Sequence, residues 1–102
     1  MNKTLSYIGL CKKAGRLTTG TELTAEAIRA GKIKLAITTS DASENTVKRI
    51  KDCCAYRNVP YAPLPYTKKE LGAALGREQT AAAGVTDDNF ASMIINAIDK
   101  NI

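Results

Sequence analysis

The residues that could carry out chemistry are few, and their types exclude most catalytic arrangements. The chain has no histidine, so a Ser-His or Cys-His nucleophile cannot form. Its cysteines, Cys11, Cys53 and Cys54, are odd in number and include no CxxC pair, which argues against a disulfide framework and a zinc site. Small buried thiols are the simpler expectation. Asp87 and Asp88 could form an acid pair, but capping of the helix that follows explains them.

One point in the sequence has the arrangement of a ligand-binding backbone rather than of a catalytic site. Gly20 stands between a short β-prone segment, 17–19, and a helix that starts near Thr21. In that geometry backbone N–H groups face outward, and a glycine allows the backbone to approach an anionic ligand closely. The alternative is an ordinary turn glycine. A P-loop and a dinucleotide fingerprint are both absent from the sequence.

The charge balance favours an anionic partner. The 102 residues hold 15 Lys and Arg against 10 Asp and Glu, a formal net charge of +5. Residues 1–60 carry 11 basic and 5 acidic side chains, a net of +6, whereas residues 61–102 carry a net of −1. We therefore expect an anion-binding face in the first part of the chain, with scattered solvated lysines as the alternative. The basic candidates expected around Gly20 are Lys12, Lys13, Arg16, Lys32 and Lys34.

Length and composition indicate one domain. A chain of 102 residues is too short for two independent cores, and a hydrophobic content of 44% is enough for one. No apolar run approaches the roughly 20 residues that cross a bilayer, and the first residues do not form a signal-peptide pattern. We therefore expect a single domain over residues 1–102, a cytoplasmic location and no contact with a membrane.

Helical and strand patterns alternate along the chain, which predicts a sheet covered by helices on both faces. Strands are expected at 17–19, 35–39, 59–62 and 81–86, with helices before, between and after them. The sharpest local signal is a capping box formed by Thr67 and Glu70. The last helix is expected to start at Thr86 or Asp87, and its buried stripe is expected to contain Phe90, Met93, Ile94, Ala97 and Ile98.

The helix after Gly20 is expected to run to Gly31, with Thr21 as its N-cap and with an apolar stripe of Leu23, Ala27, Ile28 and Ala30. This segment, GTELTAEAIRAG, resembles the corresponding helix of the kink-turn RNA-binding ribosomal protein family. That family includes the archaeal and eukaryotic large-subunit protein shared with small nucleolar particles.

Further similarities to this family follow in order and cover nearly the whole chain. KIKLAI at 32–37 is similar to the family's core strand, and SDAS at 40–43 to its acidic turn. VPY at 59–61 is similar to its short strand, and KELGAALG at 69–76 to its K-x-L-G helix. GLCKKAGR at 9–16 and Asn45-Thr46 are most similar to the bacterial YlxQ-type branch.

The resemblance implies both a fold and a function. The fold is a three-layer α/β/α sandwich with a mixed sheet of about four strands. The function is non-enzymatic binding of structured RNA, ribosomal RNA among the candidates. We expect no metal, no cofactor and no small-molecule substrate, and we expect a monomer. In the family, a G-x-N-E-x-x-K motif after the first strand supplies polar side chains that contact the sheared G·A pairs of a kink-turn.

Only Gly20 of that motif is matched in this chain. Glu22 stands at the Asn position and lacks amide donors, and Leu23 stands at the Glu position and cannot hydrogen-bond a base edge. Glu26 stands at the Lys position, where it repels phosphate. The resemblance therefore implies altered or relaxed kink-turn specificity. The alternative is a protein-interaction module that keeps the fold and has lost RNA reading.

The sequence and the resemblance together predict a set of RNA-facing residues. The helix start contributes Gly20, Thr21, Glu22, Leu23 and Glu26, and the five basic residues named above are expected to contact phosphate. The loop at 77–81 corresponds to the family's second RNA-facing loop and contributes Arg77 and Gln79.

Overall fold

A computed structural model of the chain describes residues 3–100, and the side chains of residues 3–98. Five helices and four strands alternate in it. The helices are α1 (Lys3–Lys13), α2 (Thr21–Arg29), α3 (Glu44–Arg57), α4 (Lys68–Ala74) and α5 (Asp88–Lys100). The strands are β1 (Leu17–Thr19), β2 (Leu35–Thr38), β3 (Tyr61–Pro63) and β4 (Ala82–Val85). Within this range no helix has both the length and the apolar character that a bilayer crossing requires.

The four strands form one mixed sheet in the order β1-β4-β2-β3. β4 lies antiparallel between β1 and β2, and β3 pairs in parallel with β2. Val85, the last residue of β4, is in register with both Leu17 and Leu35, the first residues of β1 and β2. At one edge of the sheet, the starts of β1 and β2 therefore flank the end of β4. At the opposite edge, the start of β4 lies beside the ends of β1, β2 and β3.

Helices cover both faces of this sheet, which confirms the three-layer α/β/α sandwich. On one face, α1, α4 and α5 pack over a core that contains Ile8, Ile37 and Ile94. On the other face, α2 and α3 pack over a second core that contains Ile28 and Ile50. Because side chains alternate along a strand, each central strand contributes to both cores.

The local helix signals of the sequence are present. The Thr67 hydroxyl accepts a hydrogen bond from the Glu70 N–H at 3.1 Å, and the Glu70 carboxylate accepts one from the Thr67 N–H at 2.9 Å. At the start of α5, the Asp87 carboxylate accepts a hydrogen bond from the Phe90 N–H at 2.9 Å. Of the two residues expected to start α5, Asp87 is thus the one that caps it.

The cysteines are small thiols within the packed chain, as the sequence predicts. Cys11 and Cys54 are buried, and Cys53 is half-buried; all three are free. Burial raises the pKa of Cys11 to about 11, and the Asp87 carboxylate adds to the effect. Burial likewise raises the pKa of Cys54 to about 11, with a contribution from Cys53. Cys11 and Cys54 therefore remain protonated and unreactive at neutral pH.

The predicted stripe of α5 is wrong at one position. Ile94 and Ala97 are buried, and Phe90 and Ile98 pack against the core. Met93, by contrast, is 39% exposed. It precedes Ile94 and therefore points about 100° away from it around the helix, at the margin of the buried face.

The predicted stripe of α2 is confirmed at Ile28, which is buried, and at Ala27, which packs against the core, but it is wrong at Leu23 and Ala30. Its buried residues are Thr24, Ala25 and Ile28, whereas Leu23 is 62% exposed and Ala30 is exposed too. The helix therefore turns Thr24, Ala25 and Ile28 towards the sheet and leaves the large apolar side chain of Leu23 exposed.

The reason for this contact is that position 84 of the sheet has no side chain. A Cβ at Gly84 would lie 2.7 Å from Ile33 Cδ1, 2.9 Å from Thr18 Oγ1 and 3.2 Å from Cγ2 of Thr24 on α2, closer than ordinary contact distance. The Thr18 hydroxyl oxygen also lies 2.9 Å from that of Thr24, and this hydrogen bond joins β1 to α2. Gly84 therefore sets the distance between α2 and the sheet, and with it the position of the start of α2.

We expect Gly84→Ala to lower the free energy of unfolding by about 1–3 kcal/mol, because the added methyl group overpacks the contact with α2. Urea denaturation followed by circular dichroism measures the change. Ile33→Val removes the nearest atom, so the double variant should lose less than the sum of the two single variants. An unchanged free energy of unfolding for Gly84→Ala would show that α2 is not held at this distance.

Candidate nucleic-acid interface

Gly20 ends β1 and precedes α2 in a conformation that other residues avoid. Its φ of 95° and ψ of 152° lie in a region restricted essentially to glycine. Its N–H donates to the Ala82 carbonyl at 2.8 Å, and its carbonyl accepts from the Thr24 N–H at 3.1 Å. Apart from Gly20 and its two chain neighbours, the described residues place no atom within 4 Å of the position a Cβ would take, so this side of the backbone faces open space.

The N-cap of α2 differs from the prediction. Thr21 is the first helical residue, and Gly20 occupies the N-cap position. Within the described residues no side chain caps the helix. The first turn of α2 is therefore available to hydrogen-bond acceptors from outside the chain.

The loop between α4 and β4, residues 75–81, lies at the same edge of the sheet as Gly20. The Thr39 N–H, just beyond β2, donates to the Ala81 carbonyl at 3.0 Å. Arg77 and Gln79 are exposed in this loop. The fold thus brings together the two RNA-facing segments that the sequence predicts. We call the surface formed by the starts of α2 and α3 and by residues 75–81 the Gly20 edge.

Gly72 allows this loop to fold back on α4. A Cβ at Gly72 would lie 2.7 Å from the Glu78 carbonyl oxygen and 2.9 Å from Gln79 Cα. The Arg77 N–H donates to the Gly72 carbonyl at 2.8 Å. A larger residue at position 72 would push away the loop that carries Arg77 and Gln79.

Asp41 fixes the turn between β2 and α3 to the start of α4. Its carboxylate accepts a hydrogen bond from the Lys68 N–H at 2.8 Å. Desolvation raises the pKa of the Asp41 carboxyl, but the hydrogen bond from the Lys68 N–H and the charge of Lys68 act in the opposite direction, and the pKa is lowered overall. Asp41 is therefore ionised at neutral pH and holds this turn at the Gly20 edge.

An ion pair joins α2 to α3 at the Gly20 edge. Arg49 Nη2 lies 2.9 Å from Glu22 Oε2, and 72% of the Glu22 side chain and 38% of the Arg49 side chain are exposed. Arg49 Nε is buried and has no hydrogen-bond partner within the described residues. The charge of Glu22 is therefore matched by a cation at the same place. The sequence did not indicate Arg49, because 27 residues separate it from Glu22.

Leu23 and Glu26 face outward from α2, beside the free edge of β1. Both are exposed, and they line a groove with Leu17, Ala27 and Lys32. In the described sheet β1 pairs with β4 alone, so its other edge is unpaired. The start of α2 thus offers an apolar side chain where the family motif has a polar one.

Arg16 and Lys34 do not lie near Gly20. The Arg16 carbonyl accepts from the Thr86 N–H at 2.9 Å, and the Lys34 N–H donates to the Val85 carbonyl at 2.6 Å, so both residues flank the end of β4. Gly20 is bonded to the start of β4. Four residue steps, through β1 and one residue at each of its ends, therefore separate the backbones of Arg16 and Gly20 by about 13 Å.

Lys12, Lys13 and Lys32 lie at the same distant edge. Lys12 and Lys13 are in the last turn of α1, which is followed by β1, and Lys32 follows the end of α2. The expectation that the five basic residues converge around Gly20 is therefore wrong, because the starts and ends of the strands lie at opposite edges. Whether these residues contact phosphate stays a prediction.

The mixed sheet between two helical layers defines an α/β/α sandwich. The glycine-led start of α2 and the loop 75–81 meet at one edge of it. The sequence profile of the "Ribosomal protein L7Ae/L30e/S12e/Gadd45 family" matches residues 2–96. The chain belongs to this family, which confirms the resemblance noted in the sequence.

Two relatives confirm the resemblance to the YlxQ-type branch. A protein of Bacillus subtilis (strain 168), named RNA-binding protein YlxQ, is 36% identical over 92 residues, which cover 90% of this chain and 91% of that protein. A protein of Enterococcus faecium with the same name is 39% identical over 89 residues, which cover 87% of this chain and 84% of that protein.

Solved structures show the same fold. A protein with unknown function from Bacillus halodurans C superimposes with a TM-score of 0.91 at 32% identity, covering 97% of this chain and 99% of that one. The 15.5kD RNA binding protein of Giardia lamblia superimposes with a TM-score of 0.75 at 20% identity, covering 94% of this chain and 82% of that one. At this identity the second similarity concerns the fold alone.

The lowered pKa of Asp41 makes part of the stability depend on pH. Because the carboxyl ionises more readily in the folded chain, its contribution is present above its ordinary pKa of 3.8 and is lost as the pH falls below that value. We expect Asp41→Asn to lower the urea midpoint at neutral pH and to make its decrease in acid shallower. Glu78→Gln, which removes an exposed carboxylate from the loop 75–81, is the control and should keep the parent's acid dependence. Identical acid profiles for the parent and Asp41→Asn would contradict this role.

Proposed function

We propose that this chain is a non-enzymatic RNA-binding protein that contacts structured RNA with its Gly20 edge. The observation that carries the proposal is the meeting, at one edge of a fold of this family, of the open Gly20 backbone, the exposed loop 75–81 and the Arg49 guanidinium. The names of the two bacterial relatives support it. We further propose that the chain acts as one domain, as a cytoplasmic monomer, with ribosomal RNA among the candidate partners.

Each part of the Gly20 edge has a separate task in this proposal. The open backbone at Gly20 lets RNA approach the first turn of α2, whose N–H groups favour an anion. The Arg49 guanidinium supplies donors that Glu22 lacks, and its planar fork suits phosphate or a guanine edge. Arg77 and Gln79 add one cation and one amide from the facing loop.

The same edge accounts for the proposed change in kink-turn specificity. A good base contact contributes about 1–3 kcal/mol of discrimination, and Leu23 and Glu26 lack the donors of the family motif. Arg49 supplies a positive charge like that of the motif lysine, but it lies on α3 rather than on α2. It therefore does not make the same base contacts. We therefore propose altered or relaxed discrimination between kink-turns and other structured RNAs.

Arg49→Gln is expected to weaken binding and to reduce the slope of log K against log salt by about one unit, as for the loss of one phosphate contact. Glu22→Gln is expected to tighten binding, because it removes a negative charge and adds an amide. Filter binding of a kink-turn RNA and of a plain RNA duplex over a salt series measures both effects. Lys51→Gln, an exposed cation change on the same helix, is the matched control.

Two results would contradict the proposal. One is a parent protein that shows no salt-dependent binding to either RNA. The other is an Arg49→Gln variant that binds both RNAs as the Lys51→Gln control does.

The exposure of Leu23 favours a second candidate function, protein interaction by a domain that keeps the fold and has lost RNA recognition. Leu23 is 62% exposed and lines a groove, together with Leu17 and Ala27, beside the unpaired edge of β1. An exposed leucine in a groove beside an unpaired strand suits a protein segment better than a base edge.

This alternative predicts that Leu23→Glu combined with Glu26→Lys creates kink-turn affinity that the parent lacks, because the pair restores two positions of the family motif. The same filter-binding assay measures it. Leu23→Gln alone, which removes the apolar side chain without restoring the motif, is the control. Tight kink-turn binding by the parent would show that the alternative is wrong.

A further inference from the structure

The net charge of the chain is concentrated at the edge of the sheet opposite Gly20. The cations at that edge are Lys12, Lys13, Arg16, Arg29, Lys32, Lys34 and Arg57, and the carboxylates are Asp87 and Asp88. Seven cations against two carboxylates give +5, which equals the formal net charge of the whole chain. The rest of the sequence is therefore balanced. We call this surface the cation edge. The carboxylate nearest to it on α2 is that of Glu26, one helical turn before Ala30.

Backbone hydrogen bonds fix the elements that carry these cations. Arg16 and Lys34 flank the end of β4 from two sides, so two strand spacings, about 10 Å, separate their backbones. The Arg57 side chain donates through Nε to the Arg29 carbonyl at 3.0 Å and through Nη2 to the same oxygen, which brings the ends of α2 and α3 together. Lys34 and Arg57 also line one shallow depression together with Asp88.

The cations of this edge are not neutralised by ion pairs. Two ion pairs occur among the described residues, Lys48 with Asp52 and Arg49 with Glu22, and neither includes a cation of this edge. Six of the seven side chains are exposed, and Lys12 is half-buried. Their charge is therefore available to an anion from outside the chain.

Helix electrostatics explain only part of this charge. Lys12, Lys13, Arg29 and Arg57 lie in the last turns of helices, where cations stabilise the negative end of the helix dipole. Arg16, Lys32 and Lys34 lie outside the helices and have no such role. The charge at this edge thus exceeds what the fold itself requires.

The geometry favours RNA backbone as the anion. The cations of this edge are spread over about 10 Å between Arg16 and Lys34 alone, so one small anion cannot contact them all, whereas an RNA backbone carries a row of phosphates that can. Tyr56, next to Arg57, is 82% exposed and offers an aromatic face of the kind on which unpaired bases stack. The groove lined by Leu23 and Lys32 runs beside β1 towards this edge from the Gly20 edge, over about 13 Å of strand.

We propose that the cation edge is a second, sequence-independent contact for RNA backbone, so that the protein bridges two segments of one RNA. The proposal rests on RNA binding at the Gly20 edge for the first segment. The Gly20 edge then sets which RNA structure is chosen, and the cation edge adds affinity in proportion to the length of RNA that reaches it.

The test uses the full chain and two probes, a minimal kink-turn RNA and the same RNA with one helix lengthened by one helical turn. Lys32→Gln combined with Lys34→Gln removes two exposed cations from a loop, where helix stability is not affected. Lys3→Gln combined with Lys51→Gln removes the same charge from exposed positions on α1 and α3 and is the matched control. Circular dichroism checks that both variants fold.

The parent is expected to bind the longer RNA more tightly and with a steeper slope of log K against log salt. Lys32→Gln with Lys34→Gln should reduce that extra slope by about 1–2 units, and the control should retain it. The proposal would be overturned if both double variants lost the same amount of slope, or if the parent bound the longer RNA no more tightly than the minimal one. Competition by polyglutamate at the same ionic strength would also overturn it, because it would point to an acidic protein instead.

The two proposals fail in different ways. If the Gly20 edge does not bind RNA, Arg49→Gln binds RNA as its control Lys51→Gln does. The variant with Lys32→Gln and Lys34→Gln still shows a reduced slope of log K against log salt. If the cation edge does not bind RNA, Arg49→Gln keeps its effect and the Lys32 and Lys34 variant matches its control. A parent that binds neither RNA would overturn both.

Discussion

The antiparallel placement of β4 between β1 and β2 is the constraint on which the two surfaces of this protein depend. Because β4 opposes both neighbours, β1 and β2 run in the same direction, and β3 follows β2 in parallel. The helices after these strands therefore start at one edge, and the helices before them end at the other. Gly84 completes the arrangement, since a side chain there would displace α2. One edge consequently offers backbone and polar groups, and the other offers charge.

The parts of the fold that neighbouring residues determine could be predicted from the sequence. Thr67 and Glu70 stabilise the start of α4 by contacts three residues apart, and Gly20 meets the need for a backbone that other residues cannot adopt. The alternation of helix and strand patterns likewise led to the three layers. Burial of single side chains was less predictable: Leu23 is exposed because α2 packs against the sheet with Thr24, Ala25 and Ile28, a face that the apolar pattern alone did not indicate.

The parts of the candidate site that depend on strand order could not be predicted. Arg16 and Lys34 are close to Gly20 in the sequence, which favoured placing them beside it. Their position at the opposite edge follows from the pairing of Leu17 and Leu35 with Val85, and no local sequence pattern encodes this pairing. The pairing of Arg49 with Glu22 is equally invisible in the sequence. It changes the electrostatics of the site, because the start of α2 is not the negatively charged surface that Glu22 and Glu26 alone would make.

The proposed RNA binding is divided between two edges with different chemistry, and observing each edge separately tests this division most directly. Heteronuclear NMR of the full chain, titrated with a minimal kink-turn RNA, reports on the backbone amide of every non-proline residue. The structure predicts that the amides of residues 20–22 and 77–79 shift, while those of residues 32–34 shift only when the RNA is lengthened. Shifts confined to residues 32–34, or the absence of shifts at residues 20–22, would contradict RNA contact at the Gly20 edge.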